Sequence, residues 1–187
     1  MKKSLVIVFF LVSITTFAQK DCEYSSNVKD SIGSYKSTKD YVMHEKVFGN
    51  SQTSLFFSLI NADGLLSLNF QMVQKSADFI PAKCFDKNSR IYIQLTNGKV
   101  ITFVGIEQES CGNSVRVNNE NCRLLNGYFL FMKETIQDLK TYPISFFRIK
   151  FAGETTDYIA KDVLISEVDQ KIYNPDHFFI DYLKCLE

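Results

Sequence analysis

Arg90 to Glu107 reads RIYIQLTNGKVITFVGIE, two apolar-alternating runs on either side of Asn97-Gly98. Asn-Gly between strands favours a type I′ turn, because both central positions need positive φ and that turn matches the twist of a two-residue hairpin. The turn then sets the register. Leu95 faces Val100, Ile93 faces Thr102 and Ile91 faces Val104 on a mainly apolar side, while Tyr92 with Phe103 and Gln94 with Ile101 make a mixed one. A lone hairpin is marginal in water, so this one implies a larger sheet.

The neighbouring segments supply that sheet. Tyr41 to Phe48 reads as a half-buried strand, and Leu55 to Ile60 is apolar on both parities apart from Ser58, as a strand covered on both faces would be. Asn61-Ala62-Asp63-Gly64 carries turn chemistry before Leu65 to Val73, where Leu66, Leu68, Phe70 and Met72 alternate with Ser67, Asn69 and Gln71; this is a second hairpin. Downstream of the central hairpin lies a strand over Arg123 to Met132. Ile144 to Ala152 and Thr155 to Lys161 form a third hairpin about Gly153-Glu154, with Gly placed for a type II′ turn. Its implied register sets Lys150 against Asp157, Phe147 against Ala160, Ile149 against Tyr158 and Phe151 against Thr156.

Two helices complete the pattern. Thr135-Ile136-Gln137-Asp138 resembles a capping box with Asp in place of Glu, ahead of a short helix that Pro143 ends. Asn174 as N-cap, Pro175 at the first helical position and Asp176 in the first turn start a terminal helix. Phe178, Phe179, Tyr182, Leu183 and Leu186 share an arc of about 140° on it, a docking face for the sheet. The segments Ser76 to Ser89 and Gln108 to Asn121 are read as connecting loops. The fold class that follows is α+β: a predominantly antiparallel sheet of about seven strands and three hairpins, a short helix near 135–141, and a C-terminal helix packed on the sheet.

Met1-Lys2-Lys3, the apolar run Leu5 to Val12 and Thr16-Phe17-Ala18 have the layout of a secretory signal cleaved between Ala18 and Gln19. The ending TFAQ resembles the ends of secretory signals on small exported proteins of Gram-negative bacteria, a resemblance confined to these residues. No lipobox precedes Cys22, and the apolar run is shorter than the ~20 residues of a spanning helix, so no membrane insertion is expected after cleavage. Residues 1–18 are thus read as signal peptide, 19–40 as a loosely ordered lead-in and 41–187 as one globular domain. The expected location is periplasmic or secreted.

Cleavage removes Lys2 and Lys3, leaving 19 basic and 21 acidic residues and a net charge of about −2. With no run of Lys or Arg to track phosphates, nucleic acid is not an expected partner. All five cysteines fall in the exported part, where disulfides persist. The preferred bridges are Cys111 with Cys122, closing the polar loop, and Cys22 with Cys185, tying the two ends, with Cys84 left over.

Chemistry is thinly marked. Cys84 beside Lys83 is the candidate nucleophile, but no base is nominated for it; the alternatives are a bridged or buried filler cysteine. His177 and Asp181, four residues apart on the last helix, are candidate metal ligands lacking the third that a catalytic zinc requires; the alternative is a solvated pair. His44 lies on the polar side of a strand, and Glu107 and Glu109 share strand parity, a pattern too common to imply glycosidase chemistry. There is no Gly-x-Ser-x-Gly elbow, P-loop, dinucleotide fingerprint, Cys-x-x-Cys pair or EF-hand loop, and no cofactor is expected. The 17 Phe and 9 Tyr mostly occupy expected core faces. The function expected is that of an exported non-catalytic domain, either binding a protein or small ligand or structural in the cell envelope. The alternatives are a small exported enzyme using Cys84 or a His177/Asp181 site, and an inhibitor or immunity-type protein presenting the 108–121 loop.

Overall fold

The structure, a computed structural model, describes residues 21–106 and 109–187. The signal peptide expected over 1–18 lies outside the described residues.

The fold is built on a long antiparallel sheet. Its strands are β1 (Tyr24–Lys29), β2 (Ser34–Thr38), β3 (Tyr41–Phe48), β4 (Ser51–Ala62), β5 (Leu65–Ser76), β6 (Arg90–Leu95), β7 (Val100–Gly105), β8 (Asn113–Val117), β9 (Glu120–Leu130), β10 (Ile144–Lys150) and β11 (Thr155–Ile159). These eleven run in the order β1-β2-β4-β5-β9-β7-β6-β10-β11, with β3 on β4 and β8 on β9. A small ribbon of β12 (Leu164–Ile165) and β13 (Ile172–Tyr173) stands apart. The strand count therefore exceeds the seven expected. Among the strands not expected, β1 and β2 lie in the lead-in 19–40, β8 lies in the 108–121 segment read as a loop and pairs back onto β9, and β12 and β13 make the separate ribbon. The lead-in is rich in Ser and Lys and the 108–121 segment in Asn and Ser, and their pairing is supplied by neighbouring strands rather than by apolar alternation.

The β4–β5 hairpin turns on Asp63-Gly64, both at positive φ (49° and 86°), which suits a two-residue turn of primed type. The central hairpin differs from expectation. Only Gly98 has positive φ there (84°); its N–H donates to the Leu95 carbonyl, and the Leu95 N–H donates to the Lys99 carbonyl. This is a three-residue loop closed by a glycine bulge. The register moves by one, so that Ile93 faces Ile101, Ile91 faces Phe103 and Tyr92 faces Thr102. A one-residue shift exchanges faces. Here it sends Ile91, Ile93, Leu95, Ile101 and Phe103 together into the core. The third hairpin is shifted by two, with Phe147 opposite Tyr158 and Arg148 opposite Asp157, because its loop spans Phe151 to Glu154 with Gly153 at positive φ. A two-residue shift keeps the faces and changes only the partners, so the expected Lys150–Asp157 pair is replaced by Arg148–Asp157.

The sheet curls until distant strands face one another. Phe57 of β4 meets Phe147 of β10 with ring centroids 5.3 Å apart, and His44 of β3 meets Tyr158 of β11 at 5.0 Å. The helices close the concave side. Helix α1 (Ile136–Thr141) buries Leu139, and helix α2 (Phe178–Tyr182), between short 3-10 turns, sets Phe178 against Phe57 and stacks Phe179 on Phe103. Leu183 and Leu186 are buried as the docking face requires. Thr135 and Asn174 stand at the expected N-cap positions, Asn174 followed by Pro175 and Asp176, but neither side chain makes a capping hydrogen bond. Thr135 donates its hydroxyl back to the Met132 carbonyl, Asp138 pairs with Lys99, and the Asn174 amide donates to the Asp162 carbonyl.

Phe85 plugs the space beside Phe70, Phe129 and Phe151, with centroids 5.3–5.4 Å away. Its ring lies so close to Gly127 that a Cβ there would come within 2.6 Å of it. Its backbone exchanges hydrogen bonds with Ser110, and the adjacent Cys84 is bridged to Cys111.

Candidate functional site

The central register sets an ordered panel on the convex side of β6, β7, β10 and β11. Its residues form three cross-strand rows: Val100–Gln94–Phe146–Ile159, then Thr102–Tyr92–Arg148–Asp157, then Val104–Arg90–Lys150–Thr155. Alternation on β6 and β10 dictates this. Ile91, Ile93, Phe147 and Ile149 are fully buried, so the residues between them face outward.

A cleft of about 380 Å³ lies over the panel, lined by Tyr92, Gln94, Val100, Phe146, Arg148 and Lys150. Tyr92 and Phe146 are half-buried, whereas Val100 (53%) and Ile159 (74%) stand well into solvent. Arg148 donates from Nε and Nη2 to the two carboxylate oxygens of Asp157 at 2.6 and 2.7 Å. These hydrogen bonds hold the Asp157 carboxyl below its ordinary range and raise Arg148 further. Arg90 gives Nη1 to the carbonyls of Lys87 and Ser89. Tyr and Arg over a partly apolar floor are the residue types that dominate recognition surfaces.

The residues nominated from sequence are dispersed. Cys84 is disulfide-bonded to Cys111, not left over, so it offers no thiol; Lys83 beside it pairs with Glu154 and sits over the Phe151 ring. Cys111 is therefore not joined to Cys122, which is free and half-buried on β9, one residue before the Arg123 that donates to the Cys111 carbonyl. The exchange follows from the unseen Phe85–Ser110 bridge, which makes Cys84 and Cys111 cross-strand neighbours. Cys22 is bridged to Cys185, as expected. His177 lies 2.9 Å from Asp176, its sequence neighbour, while Asp181 sits on α2. Among the described residues no three His, Cys, Asp or Glu side chains are grouped to hold a metal. His44 is packed against Tyr158, and burial, then Lys161 and Lys46, push its imidazole below the ordinary range. Glu107 lies outside the described residues.

A second cleft of about 340 Å³ lies between the outer side of β3–β5 and the β12–β13 loop. Two of its carboxylates are committed to that loop: Glu45 accepts from the Ser166 hydroxyl (3.0 Å) and the Glu167 N–H (2.6 Å), and Asp169 accepts from Tyr173 (2.5 Å). Tyr41 accepts from the Asn174 N–H beside it, and burial raises its phenol to about 12.

The panel went unread because the type I′ register places Phe103 and Ile101 beside Tyr92 and Gln94. A signal was present: Ile91, Ile93, Leu95, Ile101 and Phe103 all carry odd numbers. Only an even pairing sum, hence a three-residue loop, puts them on one face.

The molecule is a curled antiparallel-sheet domain, helix-closed on its concave side, with an aromatic and cationic panel on its convex side. No protein-family model, curated protein or solved structure matches the chain.

Proposed function

We propose that the chain is an exported, non-catalytic binding domain whose recognition surface is the outer panel of β6, β7, β10 and β11. The observation that carries this reading is the pairing of half-buried Tyr92 and Phe146 with Arg148 and Lys150 over one cleft of about 380 Å³. Export is supported by the two disulfides, which persist in oxidising compartments, and by the layout of the first 18 residues. Among the described residues no helix is long and apolar enough to cross a membrane. The loss of Cys84 to a bridge supports a role without turnover.

Native mass spectrometry of the protein recovered through its own secretion tests this, comparing the wild type with a Tyr92→Ala, Phe146→Ser double variant. The expected result is a retained mass on the wild type that the variant loses with both disulfides intact. A mass retained equally by both, or no retained mass at all, overturns the reading.

A specific observation favours a second reading, an inhibitor or immunity-type protein using the segment 108–121. All five residues of β8 are exposed at a sheet edge, open to strand addition by a partner. It predicts that a copurifying protein is lost when Asn113–Val117 is replaced and kept in the panel variant.

A further inference from the structure

We propose that the panel cleft takes a small amphipathic anion: an aromatic or acyl body on Tyr92 and Phe146, with one carboxylate or phosphate head on Lys150 and the open edge of Arg148. This inference rests on the reading of the panel as a binding surface and names its ligand class.

Size comes first. A cleft of about 380 Å³ falls in the range of small-molecule sites, roughly 300–1,000 Å³. Charge comes second. The whole chain balances 21 basic against 21 acidic residues, yet the three rows carry Arg90, Arg148 and Lys150 against Asp157 alone. Such a local excess draws anions to a surface that is neutral on average.

Donor geometry comes third. Asp157 occupies Nε and Nη2 of Arg148, so Nη1 has no hydrogen-bond partner among the described residues. A guanidinium anchored on one side presents its remaining N–H groups at little cost in side-chain freedom. Lys150, in the adjacent row on the same strand, has no carboxylate at salt-bridge distance among the described residues, its charge being felt only at longer range by Asp86. Arg90, whose Nη1 is taken by two carbonyls, adds charge behind them. Two open cationic donors at the edge of an aromatic floor match an anionic head on an apolar body. A cation would be repelled, and a neutral polyol would leave the donors without a charged acceptor.

The test is a titration of the full secreted protein, followed by amide NMR, with four naphthalene probes of one shape: 2-naphthoate, 2-naphthyl phosphate, 2-naphthalenemethanol and 2-naphthylmethylammonium. The expected result is saturable shifts at residues 92, 94, 146 and 148, with the anions binding at least about tenfold tighter than the alcohol. The cation should shift none of them. Lys150→Glu should weaken the anions by about tenfold or more and leave the alcohol within about twofold; Lys150→Gln gives the same direction at a smaller size. The ratio of carboxylate to phosphate identifies the head group. Equal binding of all four probes at the panel overturns the anion assignment and leaves the panel as a binding surface. Shifts confined to other parts of the sheet, or none, overturn this inference, while the retained-mass comparison decides the panel reading separately.

Discussion

Phe146 and Phe147 are consecutive in β10 and live in different solvents. Phe147 is fully buried between Phe57, 5.3 Å away, and Tyr158, at 5.2 Å. Phe146 lies on the convex side in a row with Gln94 and Ile159. The same contrast runs along β6, where Ile91 and Ile93 are fully buried and Tyr92 and Gln94 line the cleft. One strand thus serves packing with one parity and display with the other, and the two can be altered separately.

The staple behind the concave side should give the largest effect. Cys22→Ser with Cys185→Ser opens a link across 163 residues and should lower stability by about 5 kcal/mol in the chain-entropy account, read as a drop in the urea midpoint. A drop as small as that expected for a surface change would show that the core holds the terminal helix unaided. Next is Phe147→Ala, which should cost about 3–5 kcal/mol by chemical denaturation.

A titration sharpens the contrast at its open edge. His44, packed on Tyr158, has its imidazole held below the ordinary value of 6.5, first by burial and then by Lys161 and Lys46. The unfolded chain takes up this proton near pH 6.5 while the folded chain still refuses it. The stability linked to His44 is therefore present above pH 6.5 and lost as pH falls through the folded-state value. In His44→Gln the urea midpoint should fall less between pH 7 and pH 5 than in the wild type; parallel curves would show that the ring is solvated. The smallest effect belongs to the outer neighbour. Phe146→Ala should cost under about 1 kcal/mol, and a loss equal to that of Phe147→Ala would break the separation of the two faces.

Much of this is legible in the sequence. Leu66, Leu68, Phe70 and Met72 are read correctly as one face because alternation is a local property and Asp63-Gly64 sets the expected tight turn. The α+β class and the terminal helix followed from the same kind of signal. The panel did not, since it depends on a loop length that Asn97-Gly98 leaves open between two- and three-residue forms. The Cys84–Cys111 bridge was equally out of reach, because the pairing of Phe85 with Ser110 depends on where the plug of Phe85 on Gly127 draws the chain. Strands β1 and β8 gave no periodic signal, being polar segments ordered by their neighbours.

Joining Cys22 to Cys185 turns 164 residues into a covalent ring. A protease that cuts once at an exposed bend, such as the Val168–Lys171 tip, releases nothing; both pieces stay on one molecule and migrate together until a reductant is added. A single nick then changes the connectivity of the chain while leaving its composition whole.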